Sequence, residues 1–376
     1  MAYDTKKRSF GEWVNDKKDE KYKREALKIL KPRLEKASFF YQSSMELIKR
    51  GTPADYKDAI ECLLRACEIY ELSTQYTVDY YINLFGCQRF LSGVYHSIGQ
   101  YESAYEMTSK AIQTLTTIVD NQLAKPHQYV EYFCVFYEHA SNCVTVKNMN
   151  EAIICFLDYI NKEEKMLGYY PEELERGIAD CICDSIGQLY SLSLDYKIVN
   201  VDFDNVYTSA YKSLICDGFE FLKEASDVAN LYAMHMLRDD TNRFQKVTTL
   251  LVENYRNVKR MVDTNNLYDK AYYDMAITSC NLERLFRLSN NIDYADNMSA
   301  VTRFYLPKAI DSFKENNCRY THVGANDVYE YIIKYLKQDY VPRLSPDKKQ
   351  NAIKVLKDCE NKVQQAEFKD EYDFDI

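Results

Sequence analysis

The chain has 376 residues, with 48 Lys plus Arg against 57 Asp plus Glu, a net charge of −9, and only 10 Gly and 7 Pro. In residues 1–50, 14 basic residues face 8 acidic ones; the +6 there leaves −15 on the remainder, an acidic body that argues against a broad nucleic-acid surface. So few turn residues exclude a sheet-rich fold, no apolar run approaches the roughly 18 residues of a membrane span, and spacings of three and four dominate, so the chain reads as all-α.

Residues 1–16 read as loosely held, although Phe10 and Trp13 offer groups that could dock on the body. The start lacks the apolar segment of a secretory signal, and the 12 cysteines are dispersed, mostly on apolar faces (Cys62, Cys67, Cys134, Cys155). Reduced thiols in a cytoplasmic protein are therefore expected. The basic stretch KKDEKYKREALKILKPRLEK reads as a solvated helix face with interleaved charge pairs. It predicts a helix over 19–31 that ends or kinks at Pro32, whose ring cannot continue the hydrogen-bond ladder, and a second over 33–50 that stops at Gly51. Thr52 and Pro53 supply an N-cap and first-turn pair for the next helix, with Tyr56, Ala59, Leu63, Ala66 and Ile69 on one face.

Further helices are predicted over 75–97, 101–121, 127–146, 150–167, 171–194, 204–225, 240–263, 267–288, 294–315, 324–338 and 346–367. Pro126, Pro171 and Ser345-Pro346 mark starts, Gly99 and Asn148 mark hairpin turns, and Pro307 should kink or divide its helix. DYKIVNVDF (195–203) reads as a connector, and FKDEYDFDI (368–376) as an acidic tail with aromatic residues. The 34 tyrosines suit helix contacts with an apolar ring inside and a hydroxyl at the rim; a tyrosine-lined groove is the sharper alternative.

SGVYHSIGQYESAYEMTSKAI (92–112) places Leu91, Tyr95, Gly99, Tyr101, Ala104 and Ala111 at intervals that fit a helix hairpin with small residues at the crossing, where backbones approach within 8–10 Å. Similar stretches follow: HASNCVTVKNMNEAIICFLDY with Ala140, Cys143, Ala152, Phe156 and Tyr159; IGQLY at 186–190 with Ala210 beyond; and LERLFRLSNNIDYA with Leu282, Phe286 and Ala295. Crossing alanines at 59, 104, 152, 210 and 295 are 45, 48, 58 and 85 residues apart, the last nearly two units, a period in the range of helical repeat arrays.

Leu91-Ser92-x2-Tyr95, Gly99, Tyr101, Ala104 and Ala111 resemble the tetratricopeptide repeat (TPR), with IGQLY a second fragment. The departures are Gln88 at the usual Trp position, Thr116 at the usual terminal Pro, and a spacing longer than the usual 34 residues. The resemblance implies a TPR-like α-solenoid of antiparallel helix hairpins. Its parts would be an N-terminal basic segment (1–37), a repeat array (38–315), C-terminal capping helices (316–367) and the acidic tail (368–376). It also implies a non-enzymatic scaffold that binds a protein or peptide along the first helices of its hairpins. Carried over position by position, that face holds Arg89 and His96, Tyr137 and Ser141, Asp184 and Gln188, Arg284 and Arg287. The Lys/Asn set that clamps a terminal carboxylate in some TPR domains is missing from these positions. Arg284 and Arg287, one turn apart, could instead receive a carboxylate or phosphate through forked bonds.

A bacterial peptide-sensing regulator with a TPR body and a non-catalytic subunit of a multi-protein system are the alternatives. A 14-3-3-like phosphopeptide binder ranks below them for want of a clustered basic groove, as does an enzyme. Neither nucleic acid nor membrane is an expected direct partner, and a homo-oligomer is compatible with the reading. No cofactor or metal is expected. Cys181-x-Cys183 has no second pair at zinc-site spacing, and His96, His127, His139, His235 and His322 stand apart from one another. His139 and Cys143, four apart beside Glu138, share a helix face, which reads as packing rather than catalysis.

Overall fold

The computed structural model describes residues 10–164, 172–196, 198, 201–215, 220–238, 244–264, 270–316 and 325–365. The 368–376 tail, Pro171 and His322 lie outside these residues, and so do the side chains of Phe10 and Trp13. The chain divides into two compact units, Met1–Tyr159 and Ile160–Ile376. The described residues are helical throughout apart from short connections, with no strand among them.

The first unit contains α1 (Phe10–Arg50), α2 (Pro53–Thr74), a 3₁₀ turn (Val78–Tyr80), α3 (Tyr81–Ser97), α4 (Tyr101–Asp120), α5 (Pro126–Thr145) and the start of α6 (Met149–Glu164). Consecutive helices from α1 to α5 pack on one another in chain order. Thr52 caps α2 by accepting the Asp55 amide, as its sequence predicts. Pro32, by contrast, neither ends nor divides α1, a single helix of 41 residues. Leu30, Leu34, Ala37 and Tyr41 bury against the body on both sides of the proline, and that packing offsets the lost backbone bond.

The second unit contains α7 (Glu172–Asp195), α8 (Phe203–Ile215), α9 (Leu222–Arg238), α10 (Phe244–Asp263), α11 (Ala271–Leu288), α12 (Ile292–Asn316), α13 (Ala325–Tyr335) and α14 (Pro346–Gln365). A π turn (Leu336–Tyr340) and a 3₁₀ turn (Val341–Arg343) follow α13. Pro307 lies inside α12, which stays one element. The sequence predicts one helix over 204–225 and none over 226–239. Instead α8 ends at Ile215 and α9 begins at Leu222, packed against α7, α8, α10 and α11.

That extra helix resolves the irregular spacing of the alanines. The even-numbered helices bury a face with one register: a first position, then four, seven and eleven residues on, as 3.6 residues per turn requires. In α2 these are Ala59, Leu63, Ala66 and Tyr70; in α4, Ala104, Thr108, Ala111 and Leu115; in α6, Ala152, Phe156 and Tyr159. In α12 they are Ala295, Ser299, Thr302 and Leu306; in α14, Ala352, Leu356, Cys359 and Val363. Helix α10 continues the series with Val247, Leu251, Asn254 and Val258, all buried but without a small residue in front. In α8 the matching set is half-buried Phe203, then Tyr207, Ala210 and Leu214, so Ala210 sits seven residues past the crossing position that the sequence reading gave it. First positions at 59, 104, 152, 203, 247, 295 and 352 are separated by 45, 48, 51, 44, 48 and 57 residues, which removes the gap of 85.

Three hairpins close in the same way. Gly99 (φ 76°), Lys147 (φ 64°) and Asn290 (φ 59°) occupy the left-handed region at the ends of α3, α5 and α11. The following amide reaches back to the carbonyl five residues earlier: Gln100 to Tyr95 at 2.8 Å, Asn148 to Cys143 at 2.7 Å, Asn291 to Phe286 at 2.8 Å. This Schellman closure satisfies carbonyls that the helix end would otherwise leave open. The carbonyls of Gln100, Asn148 and Asn291 then accept from Ala104, Ala152 and Ala295 at 3.0, 3.1 and 3.1 Å, which fixes where each crossing alanine falls. Ser92 Oγ donates to the Ala104 carbonyl at 3.0 Å, direct evidence of how closely α3 and α4 approach.

The left-handed position is Lys147 and not the Asn148 expected at that turn, and a side chain other than glycine is strained there. Lys147→Gly is expected to stabilise the chain by about 0.5–1 kcal/mol, and Gly99→Ala to destabilise it by about 1 kcal/mol. A Cβ at Gly99 would meet nothing within 4 Å, so the second effect is conformational and not a clash. Denaturant midpoints of the two variants, shifting in opposite directions at constant slope, check both.

Candidate partner-binding face

The eight residues expected to form the binding face lie on first helices of hairpins: Arg89 and His96 on α3, Tyr137 and Ser141 on α5, Asp184 and Gln188 on α7, Arg284 and Arg287 on α11. All eight keep some access to solvent, while most other residues of these helices are buried or half-buried. In the first unit, the Arg89 guanidinium forks onto both carboxylate oxygens of Glu138 on α5, reaches the Glu131 carbonyl at 3.3 Å and lies over the Phe85 ring. His96 Nδ1 is 2.9 Å from Asn142 Oδ1, and its ring meets Tyr101 edge-on. Tyr137 packs edge-on against Phe156, and the Ser141 hydroxyl bonds back to the Tyr137 carbonyl at 3.0 Å. The structure ties Arg89 and His96 of α3 to α5 through Glu138 and Asn142, neither of which the sequence reading chose for this face, while Tyr137 and Ser141 hold partners of their own.

In the second unit, Asp184 and Gln188 are half-buried on α7. Arg284 donates to the Tyr331 hydroxyl and lies over the Tyr331 and Tyr335 rings, 5.3 and 5.2 Å from their centroids. Behind it runs a buried chain of bonds: Tyr331 OH to Asn281 Oδ1 at 3.3 Å, Asn281 Nδ2 to Asn230 Oδ1 at 3.1 Å, Asn230 Nδ2 to Thr278 at 3.0 Å. Arg287 bonds to buried Glu283 and, at 2.7 Å, to exposed Asp296. The two arginines thus turn to separate partners, Arg284 to aromatic rings and Arg287 to carboxylates.

A signal for the missed partners is present in the sequence. Lateral bonds join residues about one repeat apart: Arg89 to Glu138, His96 to Asn142, Arg284 to Tyr331, Asn230 to Asn281, Tyr335 to Glu283, with separations of 49, 46, 47, 51 and 52 residues. The second helices show the same rule in Tyr105 to Glu151 and Tyr211 to Asn257, both 46 apart. Polar residues paired at the repeat period are what tie one hairpin to the next.

Histidine 139 is buried between α4 and α6, its Nδ1 2.7 Å from Thr108 Oγ1 and its Nε2 3.0 Å from Glu151 Oε1. Its acidic partner is therefore Glu151 and not the adjacent Glu138, which points round the helix to Arg89. Burial, and then the charge of Glu151, push the Cys143 thiol up to about 12. The ten described cysteines are all free thiols, Cys181 and Cys183 included. Among the described residues no helix is long and apolar enough to cross a membrane.

No family model matches the chain, and no curated protein matches it. Among solved structures it is similar to a circular tandem repeat protein with novel repeat topology and enhanced subunit contact surfaces, at 12% identity over 94% of this chain and 90% of that one, with a TM-score of 0.38. It is also similar to yeast Tom70, at 16% identity over 87% and 76% with a TM-score of 0.21. A third likeness is to Naa15/Naa10 bound to HypK-THB, at 11% identity over 93% and 70% with a TM-score of 0.12. Likenesses at these values bear no weight, and the fold stands on the helices themselves. A buried register that returns hairpin after hairpin, closed by one kind of turn, makes this an all-α, TPR-like helical-repeat protein.

Proposed function

We propose that the chain is a non-enzymatic scaffold that binds a protein or peptide through the first-helix faces of its hairpins, acting in the cytoplasm. The supporting observation is that Arg89, His96, Tyr137, Ser141, Asp184, Gln188, Arg284 and Arg287 all keep some access to solvent on first helices whose remaining residues are mostly buried or half-buried. Arg89, His96 and Arg284 are held in fixed orientations by lateral bonds, and Arg287 is held by Glu283 and Asp296 within its own hairpin. Side chains ordered before a partner arrives lose less entropy on binding, which favours recognition of an extended segment. Each unit contributes its own patch. On this reading residues 38–315 carry the array, 1–37 and 316–367 flank it, and 368–376 form the tail.

A binding titration tests the proposal. A partner captured on the immobilised full chain is titrated against His96→Ala, Arg89→Ala and Arg284→Ala variants whose thermal melts have been checked. A loss of about tenfold or more, some 1.4 kcal/mol, in any of the three supports the face. Unchanged affinity in all of them removes it.

A further inference from the structure

We propose that His139, Cys143 and Glu151 form a binding site for one zinc-class divalent ion inside the α5–α6 hairpin. One ligand atom from each residue lies within 4.8 Å of the other two. The geometry follows from the fold. His139 and Cys143 are four residues apart on α5 and so share a face, and the turn at Lys147 brings α6 back so that Glu151 meets them. The 3.0 Å between His139 Nε2 and Glu151 Oε1 is close to the roughly 3.3 Å edge of a tetrahedron whose metal bonds are about 2.0 Å long. The Cys143 sulfur lies within 4.8 Å of both atoms, against the roughly 3.5 Å edge that a ~2.3 Å zinc–sulfur bond in the same tetrahedron would set.

The surroundings of the three side chains are those a metal site needs. Thr108 Oγ1, 2.7 Å from His139 Nδ1, can accept the Nδ1 proton while passing its own to the Ala104 or Tyr105 carbonyl, at 3.2 and 3.1 Å. With an ion bound, that arrangement would turn the Nε2 lone pair onto the metal in place of the hydrogen bond between Nε2 and Glu151. The second oxygen of Glu151 is already held by the Tyr105 hydroxyl at 2.8 Å and by the Asn148 amide, so an ion would have to displace only the hydrogen bond that Oε1 makes with His139 Nε2. The Tyr105 ring stacks on the imidazole, its centroid 5.1 Å away. Ligating imidazoles and carboxylates are oriented by outer partners of this kind.

One nitrogen, one sulfur and one oxygen with a fourth position left for water suit zinc, whereas calcium and magnesium need shells of oxygen. Glu151 is half-exposed and gives an ion its way in, while His139 and Cys143 are buried. Binding replaces the thiol proton of Cys143 with metal, so zinc affinity rises with pH.

The full chain, stripped with chelator and titrated with zinc chloride, is expected to bind the ion saturably and to melt at a higher temperature with zinc present. With cobalt(II) as the probe, a thiolate-to-metal charge-transfer absorption is expected and should vanish in Cys143→Ser. Glu151→Gln should weaken zinc binding about tenfold or more, and Tyr105→Phe, which frees the outer oxygen, by a smaller factor. Absence of saturable binding overturns the site. So does binding of unchanged affinity in Glu151→Gln, since the ion would then sit on other thiols; that variant alters a half-exposed group and decides the matter even where Cys143→Ser fails to fold.

Discussion

Lys270→Met is expected to destabilise the second unit by about 3–5 kcal/mol. The Lys270 ammonium is 2% exposed and lies between Asp227, to which it donates directly, and the fully buried Asp274, 3.6 Å away. Burial is the largest influence on it and opposes its charge, but Asp227 and Asp274 together outweigh burial and hold its pKa well above the ordinary lysine range. Methionine keeps most of the volume and removes the charge, which takes from Asp227 and the buried Asp274 the ammonium that lies between them. At roughly 2–4 °C per kcal/mol for a unit of this size, the melting temperature should fall by about 6–20 °C. Adding Asp227→Asn and Asp274→Asn to Lys270→Met should recover much of the loss. A triple variant as unstable as the single one would show that packing, not charge, sets the cost.

How far the sequence shows this fold depends on how each helix is buried. Helices with one apolar face, such as α2, α4 and α12, carry a visible 3.6-residue period headed by Ala59, Ala104 and Ala295, and reading them is straightforward. Helix α9 is enclosed on nearly every side, and its buried set mixes Val228, Leu231 and Tyr232 with Glu224, Ser226, Asn230 and His235. Buried polar residues with bonding partners erase the contrast between faces on which periodicity depends, so 226–239 reads as a connection. Helix α10 has a strong apolar face but Val247 where its counterparts have alanine, so a search for small residues passes over it. At Pro32 the local rule was outweighed by tertiary packing along the rest of α1.

The candidate face was legible in position more than in chemistry. The resemblance to the repeat, carried over position by position, puts Arg89, His96, Arg284 and Arg287 on first helices, where each keeps some access to solvent. What Arg89, His96 and Arg284 do depends on the next hairpin, where their bonding partners lie 46 to 49 positions away in the chain, whereas Arg287 turns to Glu283 and Asp296 within its own. Glu138 shows the difficulty: beside His139 in sequence it suggests an acid–base pair, yet adjacent residues on a helix point about 100° apart, and it turns to Arg89 while Glu151 takes its place.

Arginine 287 poses a sharper choice between fold and partner. Its inner bond is to Glu283, which is 0% exposed and also accepts from Tyr335, with Arg343 3.9 Å away at the solvent side. Its outer bond is to Asp296, which is 57% exposed. Arg287→Ala is therefore expected to cost about 3 kcal/mol or more, because the carboxylate of Glu283 stays buried and loses its closest cation. Asp296→Ala should cost less than about 1 kcal/mol, as exposed ion pairs do. The two variants separate what a binding assay on Arg287→Ala alone would confuse. If the outer guanidinium nitrogen receives a carboxylate or phosphate from a partner, Asp296 competes with that partner, and Asp296→Ala should strengthen binding without disturbing the melt. If Arg287 serves only to neutralise Glu283, Asp296→Ala will leave affinity unchanged, and any loss in Arg287→Ala will track the loss of folded protein measured in the same sample.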